Sequence, residues 1–166
     1  MKLEYLKCIS ENIDLDEYIE FREYVKANML NPDWLGDFSR EDLINMLNQG
    51  AKIWIYYNDT DLVCSMMFIP SSRESLESFD LNSLNYLDVA DYGPIFVNPK
   101  YVGNGLQYQM LEILDSYANN KGYKCALVTI HPENTYSINN FLKDEFEYQN
   151  TKNFKRGVRN IYMKKL

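Results

Sequence analysis

The residues that point most directly to chemistry are the glycines of the segment Gly103-Asn104-Gly105, which follows an apolar run ending at Val97. Immediately after them, the spacing of Leu106 and Met110 predicts an amphipathic helix. A strand, a Gly-rich turn and a helix in this order present backbone N–H groups and the positive end of a helix dipole to an anion. Glycine suits this turn because a side chain would block the ligand or because the turn needs a positive φ. The segment therefore predicts a site for a phosphorylated ligand.

Two common classes of phosphate-binding protein match this turn poorly. A dinucleotide-binding protein carries G-x-G-x-x-G in its first βα turn, whereas these glycines come near residue 103 and Tyr108 occupies the third position. A P-loop needs Lys after its last glycine, and this chain has Leu106 there. A nucleotide-binding protein of another kind stays open as an interpretation.

Composition and the small number of histidines and cysteines exclude further chemistries. The net charge of −7 argues against non-specific binding of nucleic acid and is compatible with a cationic substrate. His131 is the single histidine, so a histidine-rich metal site cannot be built within one chain, and no G-x-S-x-G elbow supplies a catalytic serine. Three widely spaced cysteines without C-x-x-C suit a reducing cytoplasm. We expect a cytoplasmic protein with no metal site and no nucleic-acid or membrane partner.

Hydrophobic periodicity and breaker residues predict the elements that must position the turn. The expected order is β-α-α-β-β-β-α-β-α-β-β, with antiparallel hairpins before one βαβ unit. The polar segment 71–86 is expected to be a loop or a short irregular helix, and Gly93-Pro94 predicts a bulge within a strand. The predicted strands are 3–9, 53–57, 62–69, 89–97, 125–130 and a final hairpin from residue 146 that turns near residues 156–157. The predicted helices are 14–28 with an Asp14 or Asp16 cap, 39–50 with a capping box from Ser39, 105–120 and 136–144.

The run Val97-x-Pro99-x-Tyr101-x-Gly103-x-Gly105-Leu106 resembles motif A of the GNAT N-acetyltransferases, written Q/R-x-x-G-x-G/A. Downstream, Asn134-x-x-Ser137 followed by Phe141 and Phe146 is spaced like the N-x-x-A, Tyr and Gly-Phe pattern of that family. The resemblance implies an α+β fold over residues 1–166 as one domain. Its central mixed, mostly antiparallel sheet would have a splayed strand pair and helices on both faces. It also implies an N-acetyltransferase in which an amine attacks the thioester of acetyl-CoA directly.

The resemblance further implies where acetyl-CoA would bind. The pantetheine would pair with main chain at Ile95, Phe96 and Val97, like an added strand. The Val97 N–H would polarise the thioester carbonyl. The pyrophosphate would rest on backbone N–H groups at the start of the helix. The cradle would consist of Val102, Gly103, Asn104, Gly105, Leu106 and Gln107, and the remaining cofactor-binding residues would be Asn134, Ser137 and Phe141.

Three positions depart from the family pattern. Val102 stands where Arg or Gln is usual, and Gln107 stands where Gly or Ala is common. The Gln107 amide could donate to a phosphate oxygen or could be a solvent-exposed helix residue. Phe141 replaces a tyrosine that often protonates the departing thiolate, so Ser137 and Asn140 are the candidate donors, with Tyr136 and Tyr148 also possible.

The catalytic base is expected on the strand that leads into the bulge. Asp91 and Tyr92 are the candidates, and because neighbouring strand residues face opposite ways only one of them should face the site. The first two helices, segment 71–86 and the last hairpin would form the acceptor pocket, with Tyr24, Trp34 and Phe38 as possible lining residues.

The partners implied by the resemblance are a small-molecule amine or a peptide amine, and the chain would act as a monomer or homodimer. An acyl-CoA-binding sensor or subunit with weak or absent activity is the alternative function.

Overall fold

Eight strands form one mixed sheet in the computed structural model, which describes residues 1–166. Along the sheet the strand order is β1-β2-β3-β4-β6-β8-β7, and β5 pairs with β3 beyond the end of β4. Every pairing is antiparallel except that of β4 with β6. The strands are β1 (Lys7–Ile9), β2 (Lys52–Asn58), β3 (Asp61–Pro70), β4 (Val89–Tyr92), β5 (Phe96–Val97), β6 (Cys125–Ile130), β7 (Glu147–Phe154) and β8 (Gly157–Lys165).

Five α-helices cover the sheet, and the predicted starts of the first two are confirmed. The Asp14 side chain accepts from the first-turn N–H groups of α1, and Ser39 forms a capping box with Asp42 at α2. No helix is long and apolar enough to cross a membrane. The helices are α1 (Leu15–Ala27), α2 (Arg40–Asn48), α3 (Arg73–Ser78), α4 (Leu106–Asn120) and α5 (Thr135–Lys143).

Three predicted elements differ from those observed. The first strand is shorter because residues Leu3–Tyr5 form a 3-10 turn that buries Leu3. Within the polar segment 71–86, α3 forms because Ser72 caps it and Leu76 packs into the core. The strand predicted at 89–97 is divided into β4 and β5, because the chain between them leaves the regular pairing with β3.

The interruption between β4 and β5 is a bulge, as Gly93-Pro94 predicted. Tyr92 lies opposite Phe68 of β3, and Phe96 lies opposite Ser65, so four steps on one strand match three on the other. Gly93 has a φ of +121°, a conformation that side chains rarely allow. The bulge therefore re-aims the chain at the point where β4 gives way to β5.

The two faces of the sheet carry separate apolar cores. On one face, α4 and α5 pack over side chains of alternate strand positions, including Tyr92 and Val128. On the other face, α1 and α2 cover one end of the sheet and α3 covers the middle, where Leu127 is buried. Because strand side chains alternate between faces, Asp91 points toward the α3 face and Tyr92 toward the α4 face.

A buried polar cluster ties the α4 face together. The Tyr92 hydroxyl donates to Asp115 of α4 at 2.8 Å, and Lys164 of β8 bonds Asp115 as well. Lys164 also lies 3.1 Å from Asp144, which is 6% exposed and follows the last residue of α5. Burial and the nearby Asp115 raise the pKa of Asp144 to about 6 despite the lysine. One lysine therefore compensates two carboxylates and joins β8, α4 and α5.

Replacing Lys164 with Met should lower the free energy of unfolding by about 3 kcal/mol, because two carboxylates would lose their cation in a largely buried site. The loss measured by urea unfolding should be smaller at pH 5 than at pH 8, since protonation of a carboxyl removes uncompensated charge. Lys165→Met is the matched control, because Lys165 is the next residue of β8 and is exposed. Equal losses in the two variants would contradict the role given to Lys164.

Candidate active site

The site is built on a gap between two strands that begin as neighbours. Strand β4 pairs with β6 from Val89 opposite Cys125 to Asp91 opposite Leu127, and the pairing then stops. The rest of β6, through Ile130, keeps its pairing with β8 only. A cavity of about 800 Å³ occupies the gap and is lined by β4, β5 and β6. The splayed strand pair implied by the motif resemblance is thus confirmed.

The main chain of β5 leaves one edge open toward this gap. The Asn98 N–H donates to the Val63 carbonyl at 2.8 Å, and Val97 is the preceding residue, opposite Cys64. Since successive N–H groups of a strand point to opposite edges, the Val97 N–H points away from β3 and into the gap. Ile95, Phe96 and Val97 all line the cavity, as predicted for main-chain binding of an extended ligand.

The Gly-rich turn leaves the first turn of α4 uncapped. Gly103 and Gly105 have φ values of +89° and +67°, and a Cβ on either residue would meet no atom within 4 Å. Gly105 is the N-cap and makes no side-chain cap, whereas side chains cap the other four α-helices. Residues 102–105 are exposed, so the free N–H groups of this turn are open to an anion. The turn has the features that the sequence predicted for a phosphate cradle.

Gln107 is not the solvent-exposed helix residue that was one of its two predicted roles. The residue is 8% exposed rather than solvent-exposed, because its amide faces α5. Its Nε2 donates to the Ser137 hydroxyl at 2.9 Å, and its Oε1 accepts from the Asn140 amide at 2.7 Å. Both ends of the amide are therefore engaged within the protein. Gln107 therefore links the start of α4 to α5, and it also lines the cavity, where neither hydrogen bond uses the second proton of its Nε2.

Helix α5 and its cap place four of the predicted residues at the cavity, namely Asn134, Tyr136, Ser137 and Phe141. Asn134 caps the helix by accepting from the Ser137 N–H at 3.1 Å, and both residues line the cavity. The Ser137 hydroxyl accepts from Gln107, so its own proton is free to donate. Phe141 also lines the cavity, is 2% exposed, and packs edge-on against Phe146 with ring centroids 5.0 Å apart. Asn140 supports Gln107 and is not among the lining residues.

Asp91 lies where the two strands separate, and its carboxyl lacks a counter-charge. Its Oδ2 accepts from the hydroxyls of Ser71 at 3.5 Å and Ser75 at 3.3 Å. Its Oδ1 is buried and has no hydrogen-bond partner, although the residue lines the cavity. Burial raises the pKa of Asp91 to about 7, against the smaller opposing effect of the two serines. The carboxyl can therefore exchange a proton near neutral pH.

Tyr92 presents a different arrangement. Its hydroxyl is bound to Asp115 on the α4 face, and burial together with the Asp115 charge raises its pKa. Of these two residues, only Asp91 has a side-chain oxygen without a partner beside the cavity, so the geometry favours Asp91 over Tyr92 as the base. Both assignments stay predictions.

The cavity continues on the α3 face into a second region that the sequence predicted in part. Trp34 and Phe38 line this region, as expected, while Tyr24 is half exposed and does not. Two further lining residues, Arg156 and Arg159, come from the turn and the start of β8. The basic composition of the C-terminal segment was the available signal, but it did not indicate that these two arginines face the cavity.

Comparison with known proteins identifies the architecture. No protein-family model and no curated protein matches the sequence. Solved structures match over nearly the whole chain. A GNAT family acetyltransferase from Elizabethkingia anophelis with acetyl-CoA bound is 14% identical, with a TM-score of 0.68, covering 97% of this chain and 98% of that one.

Two other solved structures have the same architecture. A ribosomal-protein-alanine N-acetyltransferase from Brucella melitensis is 16% identical, with a TM-score of 0.70, and the match covers 97% of this chain and 100% of that one. An aminoglycoside acetyltransferase in complex with coenzyme A is 14% identical, with a TM-score of 0.68, and the match covers 96% of this chain and 95% of that one. The chain therefore has the fold of the GNAT acetyltransferases, as its motifs implied.

Proposed function

We propose that the protein transfers an acetyl group from acetyl-CoA to an amine. The observation that carries the proposal is the single cavity that joins the open edge of β5, the start of α4 and the buried carboxyl of Asp91. A phosphorylated thioester and an amine could meet there without leaving the protein. The proposal takes residues 1–166 as one catalytic domain that acts in the cytoplasm, in keeping with its three free cysteines.

Acetyl-CoA would enter from the α4 side of the gap. Its pantetheine would lie along β5 and exchange main-chain hydrogen bonds with Val97, completing the edge that β6 leaves unpaired. Its pyrophosphate would be bound by N–H groups between Val102 and Gln107, where the helix dipole favours negative charge. The Gly103-Gly105 turn would let the phosphates approach the backbone closely. Acetyl-CoA bound in the Elizabethkingia structure, which has the same fold, supports acetyl-CoA as the ligand.

The chemistry would then proceed by direct attack. The amine must first lose a proton, because an ammonium has no lone pair, and Asp91 would accept that proton. The amine nitrogen would form a bond to the thioester carbon, and the Val97 N–H would stabilise the oxyanion by about 3 kcal/mol. Collapse of the adduct would break the carbon–sulfur bond, the adduct nitrogen would release its extra proton to solvent to leave the neutral amide, and the Ser137 hydroxyl would donate a hydrogen bond to the departing thiolate. A thiol with a pKa near 8.5 leaves readily enough to need no strong acid.

One observation favours a second candidate function. Phe141 fills the position of the usual tyrosine with a buried ring that cannot give a proton. A chain of this kind could bind acyl-CoA as a sensor or subunit without turning it over. Release of free CoA with a panel of amines separates the two candidates, because the sensor would bind acetyl-CoA tightly and release no CoA with any amine.

The first test is thermal stabilisation by candidate ligands. Acetyl-CoA and CoA at about 1 mM should raise the melting temperature, whereas ATP and NAD should raise it much less, since a ligand stabilises only the state that binds it. A melting temperature unchanged by acetyl-CoA and CoA would refute the proposal. Stabilisation by ATP or NAD alone would favour the nucleotide-binding interpretation.

Gly105→Ala should weaken acetyl-CoA binding by about tenfold, because the new Cβ would occupy the open space of the cradle and strain a left-handed residue. The dissociation constant can be measured by calorimetry. Gly122→Ala is the control, because Gly122 follows the other end of α4 and has a φ of +85°, and a Cβ there would also meet no atom within 4 Å. Both variants should lose similar thermal stability, and equal loss of acetyl-CoA affinity in both would contradict a cradle at Gly105.

Asp91→Asn should lower kcat by about 100-fold while leaving the dissociation constant of acetyl-CoA nearly unchanged, because the amine would lose its proton acceptor. The wild-type rate should rise with pH through an apparent pKa near 7, and this limb should disappear in the variant. Asp88→Asn is the control, since Asp88 pairs with Lys124 and does not line the cavity. A variant Asp91→Asn with wild-type kcat and pH profile would exclude Asp91 as the base.

The same Asp91→Asn variant should gain stability relative to the wild type as pH rises. The folded-state pKa of Asp91 is raised, so the native protein holds a proton that the unfolded chain releases above about pH 4. The stability that this proton contributes is lost as pH rises to about 7, whereas asparagine cannot ionise. The difference in melting temperature, variant minus wild type, should therefore increase between pH 4 and pH 8. A constant difference would show that the native carboxyl is not held protonated.

A further inference from the structure

We propose that the acceptor carries an anionic group, a carboxylate or a phosphate, in addition to its amine, and that Arg156 and Arg159 bind that group. The inference rests on the proposed function, because it assigns the substrate class of the same site. It comes from the α3-face region of the cavity, opposite the α4 side where acetyl-CoA would enter.

Arg159 is a buried cation without an anionic partner. It is 3% exposed, and it lines the cavity. Its Nη2 donates to the Asp33 carbonyl at 2.6 Å and its Nη1 donates to the Val158 carbonyl at 2.8 Å. These are neutral backbone acceptors, and no carboxylate oxygen lies within the 4.0 Å of an ion pair. The remaining guanidinium donors are available to a ligand.

Arg156 adds a second unpaired cation to the same region. Its Nη2 donates to the Thr129 hydroxyl at 2.6 Å, which directs the guanidinium to β6 and over the cavity. Burial and the charge of Arg159 lower the pKa of Arg156, and burial lowers that of Arg159, yet guanidinium groups stay protonated in proteins. The two guanidinium groups are near enough to repel each other, and neither forms an ion pair with a carboxylate, so an anion bound between them would relieve the repulsion.

A third donor in this region has no partner at all. The indole Nε1 of Trp34 is buried and makes no hydrogen bond, although Trp34 lines the cavity. Asp33, the neighbour of Trp34, contributes its carbonyl to Arg159. An unsatisfied buried N–H usually has a ligand or water as its partner. A ligand oxygen bound between the arginines and the indole would accept a hydrogen bond from this N–H.

Three carboxylates lie in this region, and none forms an ion pair with either arginine. The Asp33 charge raises the pKa of Arg159 against the larger effect of burial, but from beyond ion-pair distance. Asp37 lines the cavity but is paired with Arg22 at 3.4 Å and with Lys26 at 2.8 Å. Asp91 lies in the same cavity, where burial favours its neutral form. The acceptor region therefore has an excess of positive charge although the whole chain is acidic. Arg side chains match the two oxygens of a carboxylate or phosphate in a bidentate arrangement, so an anionic group fits this region better than a second cation.

The test uses calorimetry to measure the dissociation constants of matched amines that differ only in the anionic group. Each amine is titrated into the CoA-saturated protein and into the free protein. One arm uses L-leucine and L-leucinamide, and the other uses glucosamine 6-phosphate and glucosamine. In at least one arm the anionic member should bind at least about tenfold more tightly. The arm that shows the preference identifies the group as carboxylate or phosphate.

Arg156→Gln and Arg159→Gln should each reduce this preference by about tenfold or more. Lys155→Gln is the control, because Lys155 precedes Arg156 in the same turn, is exposed, carries the same charge and does not line the cavity. Arg156 lies at the exposed turn, so its variant keeps the test usable if loss of the buried Arg159 prevents folding.

The proposal is overturned if the neutral member binds as well as the anionic member in both arms, or if neither anionic member binds up to about 10 mM. It is also overturned if Arg156→Gln and Lys155→Gln change the preference equally. Failure of the proposed function gives a different result. In that case acetyl-CoA would not stabilise the protein, while the preference for the anionic amine would persist on the free protein.

Discussion

The structure depends on a pairing that two strands do not make. Strands β4 and β6 are parallel neighbours as far as Asp91 and Leu127, and beyond them the main chain of each faces a cavity instead of the other. Buried backbone groups are nearly always hydrogen-bonded, so an open edge such as that at Val97 calls for a partner from outside the sheet. The bulge at Gly93 accompanies this separation, because it ends β4 and begins β5 in a new register. The ligand site, the position of the carboxyl and the acceptor region all follow from the same gap.

Open strands must be held apart, and polar side chains on the α4 face do this. Lys164 joins β8 to α4 and α5 through two carboxylates, and one of them, Asp115, also holds the hydroxyl of Tyr92 at the end of β4. Gln107 joins the start of α4 to α5 through Ser137 and Asn140. Polar networks of this kind favour one arrangement of the elements around them. They keep the cradle, the strand edge and the α5 side chains in a constant relation before any ligand binds.

The same cavity holds a carboxyl that favours its proton and two arginines that lack anions. The buried Asp91 carboxyl and the buried Arg159 cost stability in the protein alone, because a buried group without its partner is desolvated and uncompensated. Such costs are common at functional sites, where a ligand supplies the missing partner. Asp91 and Arg159 lie on the same face of the sheet but come from strands that β6 separates. A substrate with a cationic and an anionic group would complement both.

Much of the fold followed from local sequence. The caps at Asp14 and Ser39, the apolar run 125–130 and the Gly93-Pro94 irregularity each predicted an element or a break within a residue or two of its observed place. The composition of segment 71–86 predicts a loop or a short irregular helix, whereas α3 forms there with Leu76 buried in the core. Long-range burial of that kind leaves little trace in a short polar segment.

Local sequence was sufficient to predict most of the element order, the glycine turn before α4 and, through the motif spacing, a splayed sheet. Turns, caps and hydrophobic periods are set by neighbouring residues, so they can be recognised along the chain. Three features are visible only in the folded protein: Gln107 faces α5, Asp91 rather than Tyr92 has a free oxygen at the cavity, and Arg159 reaches the acceptor region. Those outcomes depend on which residues from distant elements meet and on how far each is removed from water, and neither property is encoded in local spacing.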